Sequence, residues 1–204
     1  MNSIVLIGGG GFSSEVLEVA IQNGYEVLGY VDNKKTDLDI QYLGNEEEYL
    51  PLHNPKNYIF PAFAAVDRKS LSRRAKILNK FDSYKIPFLV SKSAVISDSV
   101  KIDRGVFISH GVIVNPNTHI EEFSIINCRS TIGHNVKIAK NTVISGHVFI
   151  GGSSNIGKNT LIGPGSTIMH SADIGKNVIV SLGSVIGRKV DDNKTVLPKL
   201  SKSI

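Results

Sequence analysis

From Val95 to Val190 the sequence divides into sixteen consecutive hexads. The second position is Ile or Val in every one, and the sixth is Val, Thr, Ser or Ala in every one. A period of six fits neither the 3.6-residue turn of a helix nor the two-residue alternation of a strand. It fits a parallel β-helix, in which each hexad is a short strand plus a turn and three hexads close a triangular coil of 18 residues. The Ile or Val of position two then fills the interior, and the small residue of position six packs beside it. Gly or Asn recurs at position five (Gly105, Gly111, Asn117, Asn141, Asn159, Gly165, Asn177 and Gly183), as a turn with positive φ demands.

Residues 1–90 follow another grammar. Ser3-Ile4-Val5-Leu6-Ile7 is an apolar strand, and Gly8-Gly9-Gly10-Gly11 follows it. Ser13 to Asn23 carries apolar residues at Val16, Leu17, Val19, Ala20 and Ile21 and stops at Gly24, which reads as a helix with a glycine C-cap. Glu26 to Asp32 reads as a second strand, Asn57 to Phe60 as a third and Ile86 to Val90 as a fourth. Asp67 to Phe81 reads as a basic amphipathic helix. Strands alternating with helices imply a small parallel α/β unit. The expected organisation is a Rossmann-like α/β domain over 1–90, a β-helix over 91–190 and a C-terminal tail over 191–204.

The chain of 204 residues is 41% apolar and 20% charged, the balance of a globular protein. Its one cysteine, Cys128, excludes an intrachain disulfide and a thiolate metal cluster, and fits a reducing, cytoplasmic setting. The start MNSIVLIGGGG lacks the basic residues and the long apolar run of a signal peptide. No stretch approaches the ~18 apolar residues that cross a bilayer, so no membrane partner is expected. A net charge of +5 mildly favours anionic ligands. The basic residues are scattered without an aromatic stripe, which argues against nucleic acid.

A strand, a glycine run, a helix and then an acid at the end of the next strand is the dinucleotide-fold arrangement. Backbone N–H groups and a helix N-terminus there face a diphosphate. Asp32, 24 residues after Gly8 and followed by Asn33, lies where a ribose hydroxyl or a base is read. Ser13 stands where a third glycine would be. Some 90 residues supply only half of a dinucleotide-binding sheet, which favours a mononucleotide or nucleotide-sugar over a redox dinucleotide. A tight β–α turn with no ligand gives the same pattern.

The hexads hold five histidines: His110, His119, His134, His147 and His170. Residues 18 apart stack on one edge of the coil, and no two of these are 18 apart, so no metal site is expected within one chain. A single corner imidazole, titrating near ~6.5 when unperturbed, can instead take a proton from an amine or hydroxyl. His134 has the most telling context. Gly133 precedes it, Asn135 follows it, Asn127 lies seven residues back, and Gly151-Gly152 leaves open surface one coil later. The fourth position of a hexad is a corner that points away from the interior, so His134 is not a core histidine. A solvated turn histidine is its other reading, and the one that applies to His110, His119 and His170.

With these motifs the sequence resembles the bacterial acetyltransferases that include the sialic acid O-acetyltransferases and the N-acetyltransferases of UDP- or dTDP-4-amino-sugars. These are left-handed β-helix hexapeptide enzymes with a small N-terminal α/β domain. The likeness covers nearly the whole chain: IGGGG and its helix, YVDN, the segment from Phe88 to Val95, and the hexads. Its most specific piece is IINCRSTIGH, Ile125 to His134, which matches an asparagine placed before the family's catalytic histidine. The resemblance implies a left-handed coil, with His134 as the general base that accepts a proton as a sugar amine or hydroxyl attacks acetyl-CoA. Asn127 would lie near the reacting acetyl group, with Asn135 beside the base. Gly8, Gly9, Gly10, Gly11, Asp32 and Asn33 would face the nucleotide. The CoA arm would run along the β-helix between neighbouring subunits of a homotrimer, past His147, Gly152, Pro164 and Gly183.

Some positions depart from the family pattern. Asn135 replaces a carboxylate that orients the histidine; an amide carbonyl can accept the Nδ1 proton but stabilises an imidazolium less. Val143 stands where a second histidine is common, with His147 nearby as its substitute. Phe12, Ser91-Lys92 and Val196-Leu197-Pro198-Lys199 also differ. The expected function is acetyl-CoA-dependent N-acetylation, without a metal, of the 4-amino group of a nucleotide-linked 4-amino-4,6-dideoxyhexose. The setting is surface-glycan biosynthesis, such as that of lipopolysaccharide O-antigen. O-acetylation of sialic acid or a related sugar and a non-catalytic trimeric ligand-binding protein are the alternatives.

Overall fold

A computed structural model describes residues 2–198. The N-terminal part holds three parallel strands, β1 (Asn2–Ile7), β2 (Tyr25–Val31) and β3 (Tyr58–Pro61), in the order β2-β1-β3. Central β1 is buried along Ile4 to Ile7, as an apolar run covered on both faces should be. Helix α1 (Gly11–Gln22) leaves the glycine turn directly and buries Val16, Val19 and Ala20; Gly24 takes φ +81° just beyond its end. A short helix, α2 (Glu46–Tyr49), follows β2. Helix α3 (Arg68–Leu78) starts at a capping box, in which Asp67 accepts from the Ser70 N–H and the Ser70 hydroxyl accepts from the Asp67 N–H.

The rest is a left-handed parallel β-helix of two-residue strands in three sheets of seven, six and six. Two expectations are corrected. The segment from Ile86 to Val90 does not join the α/β sheet, because only Leu89–Val90 is a strand and it pairs with Phe107–Ile108. Leu89-Val90-Ser91-Lys92-Ser93-Ala94 is itself a hexad, so the solenoid begins six residues before Val95. At the other end the sixteenth hexad breaks register: Lys189–Val190 forms a strand opposite Asp173–Ile174, two residues early. Thr195–Val196 adds a last rung on Ile179–Val180. Of the expected tail, residues 199–204 lie outside the described residues, Lys199 among them.

The hexad grammar maps onto the coil position by position. The Ile and Val side chains of position two are buried from Ile108 to Ile186. Ser and Thr at position six are buried too, and they fit because their hydroxyls replace backbone partners at the corners. Thr118 donates to the carbonyl of Gly133 (2.8 Å) and accepts from the N–H of Val136 (3.2 Å); Ser130 does the same with Ser145 and Val148. Position five takes positive φ in every hexad from Gly105 to Gly183, in Phe123, Arg129, His147, Ser153 and Ser171 as well as in Gly and Asn. A non-glycine residue there bears a strain of order 1 kcal/mol, tolerated because the stacked coils above and below fix the corner.

Position one decides what each outer face does. One face presents Leu89, Phe107, Ile125, Val143 and Leu161, all buried under the α/β unit. The edge of Phe12 meets Phe107 with centroids 5.0 Å apart. A second face presents Lys101, His119, Lys137, Asn155 and Asp173 to solvent. The third presents Val95 (63% exposed), Ile113 (42%), Phe149 (48%) and Val185 (71%), an apolar stripe with Thr131 and Thr167 between.

Coil-to-coil contact is tight at the corner glycines. A Cβ on Gly157 would lie 2.5 Å from the Gly175 carbonyl carbon, with backbone on all three nearest approaches. Gly157→Ala is expected to cost about 1–3 kcal/mol and to lower Tm by roughly 2–4 °C for each kcal/mol, as followed by thermal unfolding.

Candidate functional site

The C-terminal ends of β1, β2 and β3 open on a cleft of about 250 Å³ beneath α3. Gly8 and Asp32 line it, as the sequence motif requires, with Asn33 beside them. The structure shows how the glycine turn is built. Gly8 takes φ +116°, with its Cα against the Ala62 carbonyl. Gly9 lies so close to the Tyr30 ring that a Cβ would stand 2.5 Å from it. Asp32 braces the turn: one carboxylate oxygen accepts the Gly9 N–H (2.7 Å) and the other the Asn33 N–H (2.6 Å). Gly10 caps α1 by position alone, without a side-chain bond, and Gly10 and Gly11 have open space about them. The first N–H groups of α1 are therefore left as donors for an anion. Ser13, at the place of a third glycine, is buried and donates to the Ala62 carbonyl (2.8 Å), which ties α1 to β3.

Sequence reasoning missed the residues on the far wall. Phe63, Ser70, Arg73 and Arg74 line the cleft. Arg74 is 2% exposed and faces inward with Leu71 and Leu78 on α3. Its signal in the sequence is an arginine in the apolar register of a helix, which the many basic residues around it conceal. Arg74 also joins the two parts of the chain: it donates to the carbonyls of Phe63 (3.0 Å) and Phe123 (2.8 Å) and to the Asn141 amide oxygen. Asn141 in turn donates to Asn159 one coil on (2.9 Å).

His134 stands exposed at the corner after the Thr131–Ile132 strand. Its ring lies over Gly152, where a Cβ would come within 2.6 Å of Nε2. The absence of that side chain lets the imidazole approach His170, two coils away, with ring centroids 6.4 Å apart. Asn135 turns elsewhere. It has φ +59°, and its amide oxygen accepts from Asn117 Nδ2 (3.4 Å), one coil back. Among the described residues no hydrogen bond holds the His134 ring, so packing on Gly152 and His170 orients it.

The expected site residues fall on two corners. His134, Asn135 and Gly152 share one edge of the apolar face; Asn127, His147, Pro164 and Gly183 share the other. Asn127 is half-buried and His147 exposed. The α/β unit with its cleft covers a third direction, over Phe107 and Ile125. One chain therefore does not bring the glycine turn and His134 together. Among the described residues no three His, Cys, Asp or Glu side chains converge as metal ligands, and no helix is long and apolar enough to cross a membrane.

Residues 3–81 match the profile of the PglD N-terminal domain, and residues 153–188 that of the bacterial transferase hexapeptide, six repeats. Fold and profiles together define a hexapeptide-repeat protein with an N-terminal α/β domain. The chain carries a PglD-type N-terminal domain and bacterial transferase hexapeptide repeats. No curated protein matches the sequence significantly. Solved structures share the fold over nearly the whole length. The acetyltransferase domain of PglB from Neisseria gonorrhoeae, in complex with acetyl coenzyme A, is 23% identical with a TM-score of 0.88, covering 96% of each chain. A mutant of perosamine N-acetyltransferase from Caulobacter crescentus, in complex with CoA and GDP-perosamine, is 23% identical with a TM-score of 0.86, covering 96% of this chain and 93% of that one. WeeI from Acinetobacter baumannii is 21% identical with a TM-score of 0.83, covering 96% of each.

The glycine turn gives a direct contrast. Gly9→Ala is expected to lower Tm by several degrees, because its methyl meets the packed Tyr30 ring. Gly10→Ala, with open space around it, is expected to change Tm by no more than about 1–2 °C.

Proposed function

We propose that the chain transfers the acetyl group of acetyl-CoA to the amine of a nucleotide-linked amino sugar, a 4-amino-4,6-dideoxyhexose, with His134 as general base. The observation that carries this reading is the union, in one chain, of a nucleotide-type cleft and a hexapeptide solenoid with an unengaged histidine at its corner. Support comes from the perosamine N-acetyltransferase, whose structure holds CoA and GDP-perosamine, and from the PglB domain, whose structure holds acetyl coenzyme A. The diphosphate lies against Gly9, Gly10 and Gly11 and the N-terminus of α1, with the base beyond Asp32 and Asn33. The sugar amine attacks the thioester carbonyl. As the C–N bond forms, His134 takes a proton from the nitrogen, the C–S bond breaks, and the imidazolium returns the proton to the departing CoA thiolate.

This chemistry requires more than one chain. The cleft sits on the covered side of the solenoid and His134 at a corner of the apolar face. The Val95–Ile113–Phe149–Val185 stripe is the surface on which a second copy packs. A homotrimer closes the arrangement with cyclic symmetry and sets the Asn127–His147–Pro164–Gly183 corner of one chain near the His134–Gly152 corner of the next. The CoA arm runs in the groove between them. A cytoplasmic location suits the acyl donor.

His134→Ala is expected to lower kcat/KM by roughly 10²–10⁴-fold in a thiol-release assay with acetyl-CoA and nucleotide amino-sugars. Full activity in that variant, or acetylation of a free sugar hydroxyl in place of a nucleotide-linked amine, would contradict the proposal. Gly152→Ala should preserve the fold while displacing the His134 ring, costing on the order of 10-fold or more in rate. Phe149→Glu is expected to shift the mass measured by light scattering from trimer to monomer and to abolish transfer.

A further inference from the structure

The cleft holds a buried charge that makes no ion pair among the described residues. Arg74 is 2% exposed, and all its hydrogen-bond partners are neutral: the carbonyls of Phe63 and Phe123 and the amide of Asn141. Buried guanidinium groups are normally paired with a carboxylate. Burial pushes this one down to about 9, which still leaves it protonated at neutral pH. Nη2 has no partner among the described residues. It is not sealed off, as the Ser109 hydroxyl is, and Arg74 lines the cleft. The Phe63 ring, 5.8 Å from the guanidinium carbon, holds the group from the side.

We infer that Arg74 Nη2 reads the nucleobase, and that it selects bases with a carbonyl oxygen at the pyrimidine 4-position or the purine 6-position. This rests on the nucleotide-sugar reading proposed above. A planar base suits the floor better than a phosphate, because the lining acids Asp32 and Glu46 offset the positive charge of Arg73 and Arg74. Ile7, Val31, Phe63 and Ile77 supply apolar walls suited to a planar ring. The ribose and diphosphate lie at the mouth, by Asp32 and the glycine turn, so the edge of the base farthest from the sugar meets the floor. Nη2 can only donate. A carbonyl there accepts its proton; an amino group sets donor against donor and leaves the buried cation unpaired.

Calorimetric titration of the intact wild-type protein with UDP, dTDP, GDP, CDP and ADP tests this. UDP, dTDP and GDP should bind at least about tenfold more tightly than CDP and ADP, the discrimination expected when a buried donor is left unpaired. Arg74→Gln, whose amide accepts as well as donates, should bring CDP and ADP to within about threefold of the others. That gain of binding is not something a merely structural loss would produce. Equal binding of all five by the wild-type protein would overturn the inference and leave the proposed function standing. Retained discrimination in a folded Arg74→Gln protein would also overturn it. If none of the five binds, the nucleotide reading falls as well.

Discussion

Each coil of the solenoid hands its backbone hydrogen bonds to the next, and everything else depends on that ladder. The N–H of Val95 reaches the carbonyl of Val112, Thr131 reaches Val148, and Gly151 reaches Ile168, with the same offset along the regular coils. A fixed offset means that a residue's number fixes its direction. Ile at position two must point inward, a corner residue must point outward, and position one must paint a continuous face. The hydroxyls of position six extend the ladder into the interior, which is why serine and threonine replace valine there without leaving unsatisfied groups.

The three faces therefore receive separate tasks. One is apolar and lies under the α/β unit, with Phe12 and Phe60 packed on Phe107. One is charged and faces water. The third is apolar and bare. Arg74 fastens the first arrangement at its edge, and Arg68 adds a second tie by donating to backbone carbonyls of Asn177 and Lys194. The α/β unit is held against the solenoid by apolar contact and by arginines that end in backbone carbonyls. With the cleft and His134 pointing in different directions, the geometry supports a reaction centre completed by a neighbouring copy.

Much of the architecture was legible because a six-residue period is a backbone property written directly in side-chain size. The errors came where that period met another signal. Leu89-Val90 reads as part of the apolar run from Ile86, so its hexad was assigned to the α/β sheet. Arg188-Lys189-Val190 keeps the composition of a hexad while the chain drops two residues from the coil. The site was less legible. His134 and Asp32 sit in local motifs, but what their neighbours do depends on contacts between coils. Asn135 looks like a partner for the imidazole in one dimension; positive φ turns its amide onto Asn117. Arg74 is indistinguishable from Arg73 until α3 is packed, when both line the cleft but Arg73 stays exposed and Arg74 is buried.

The division of labour between chains is most directly tested by complementation. His134→Ala chains and Asp32→Ala chains, each inactive alone, would be co-expressed with different tags, and the mixed oligomer assayed for acetyl transfer. If each centre joins the histidine corner of one chain to the cleft of another, random assembly restores about one quarter of the wild-type activity per site. Activity no greater than the sum of the two variants assayed separately would show that each chain works with its own cleft, and would contradict the shared centre.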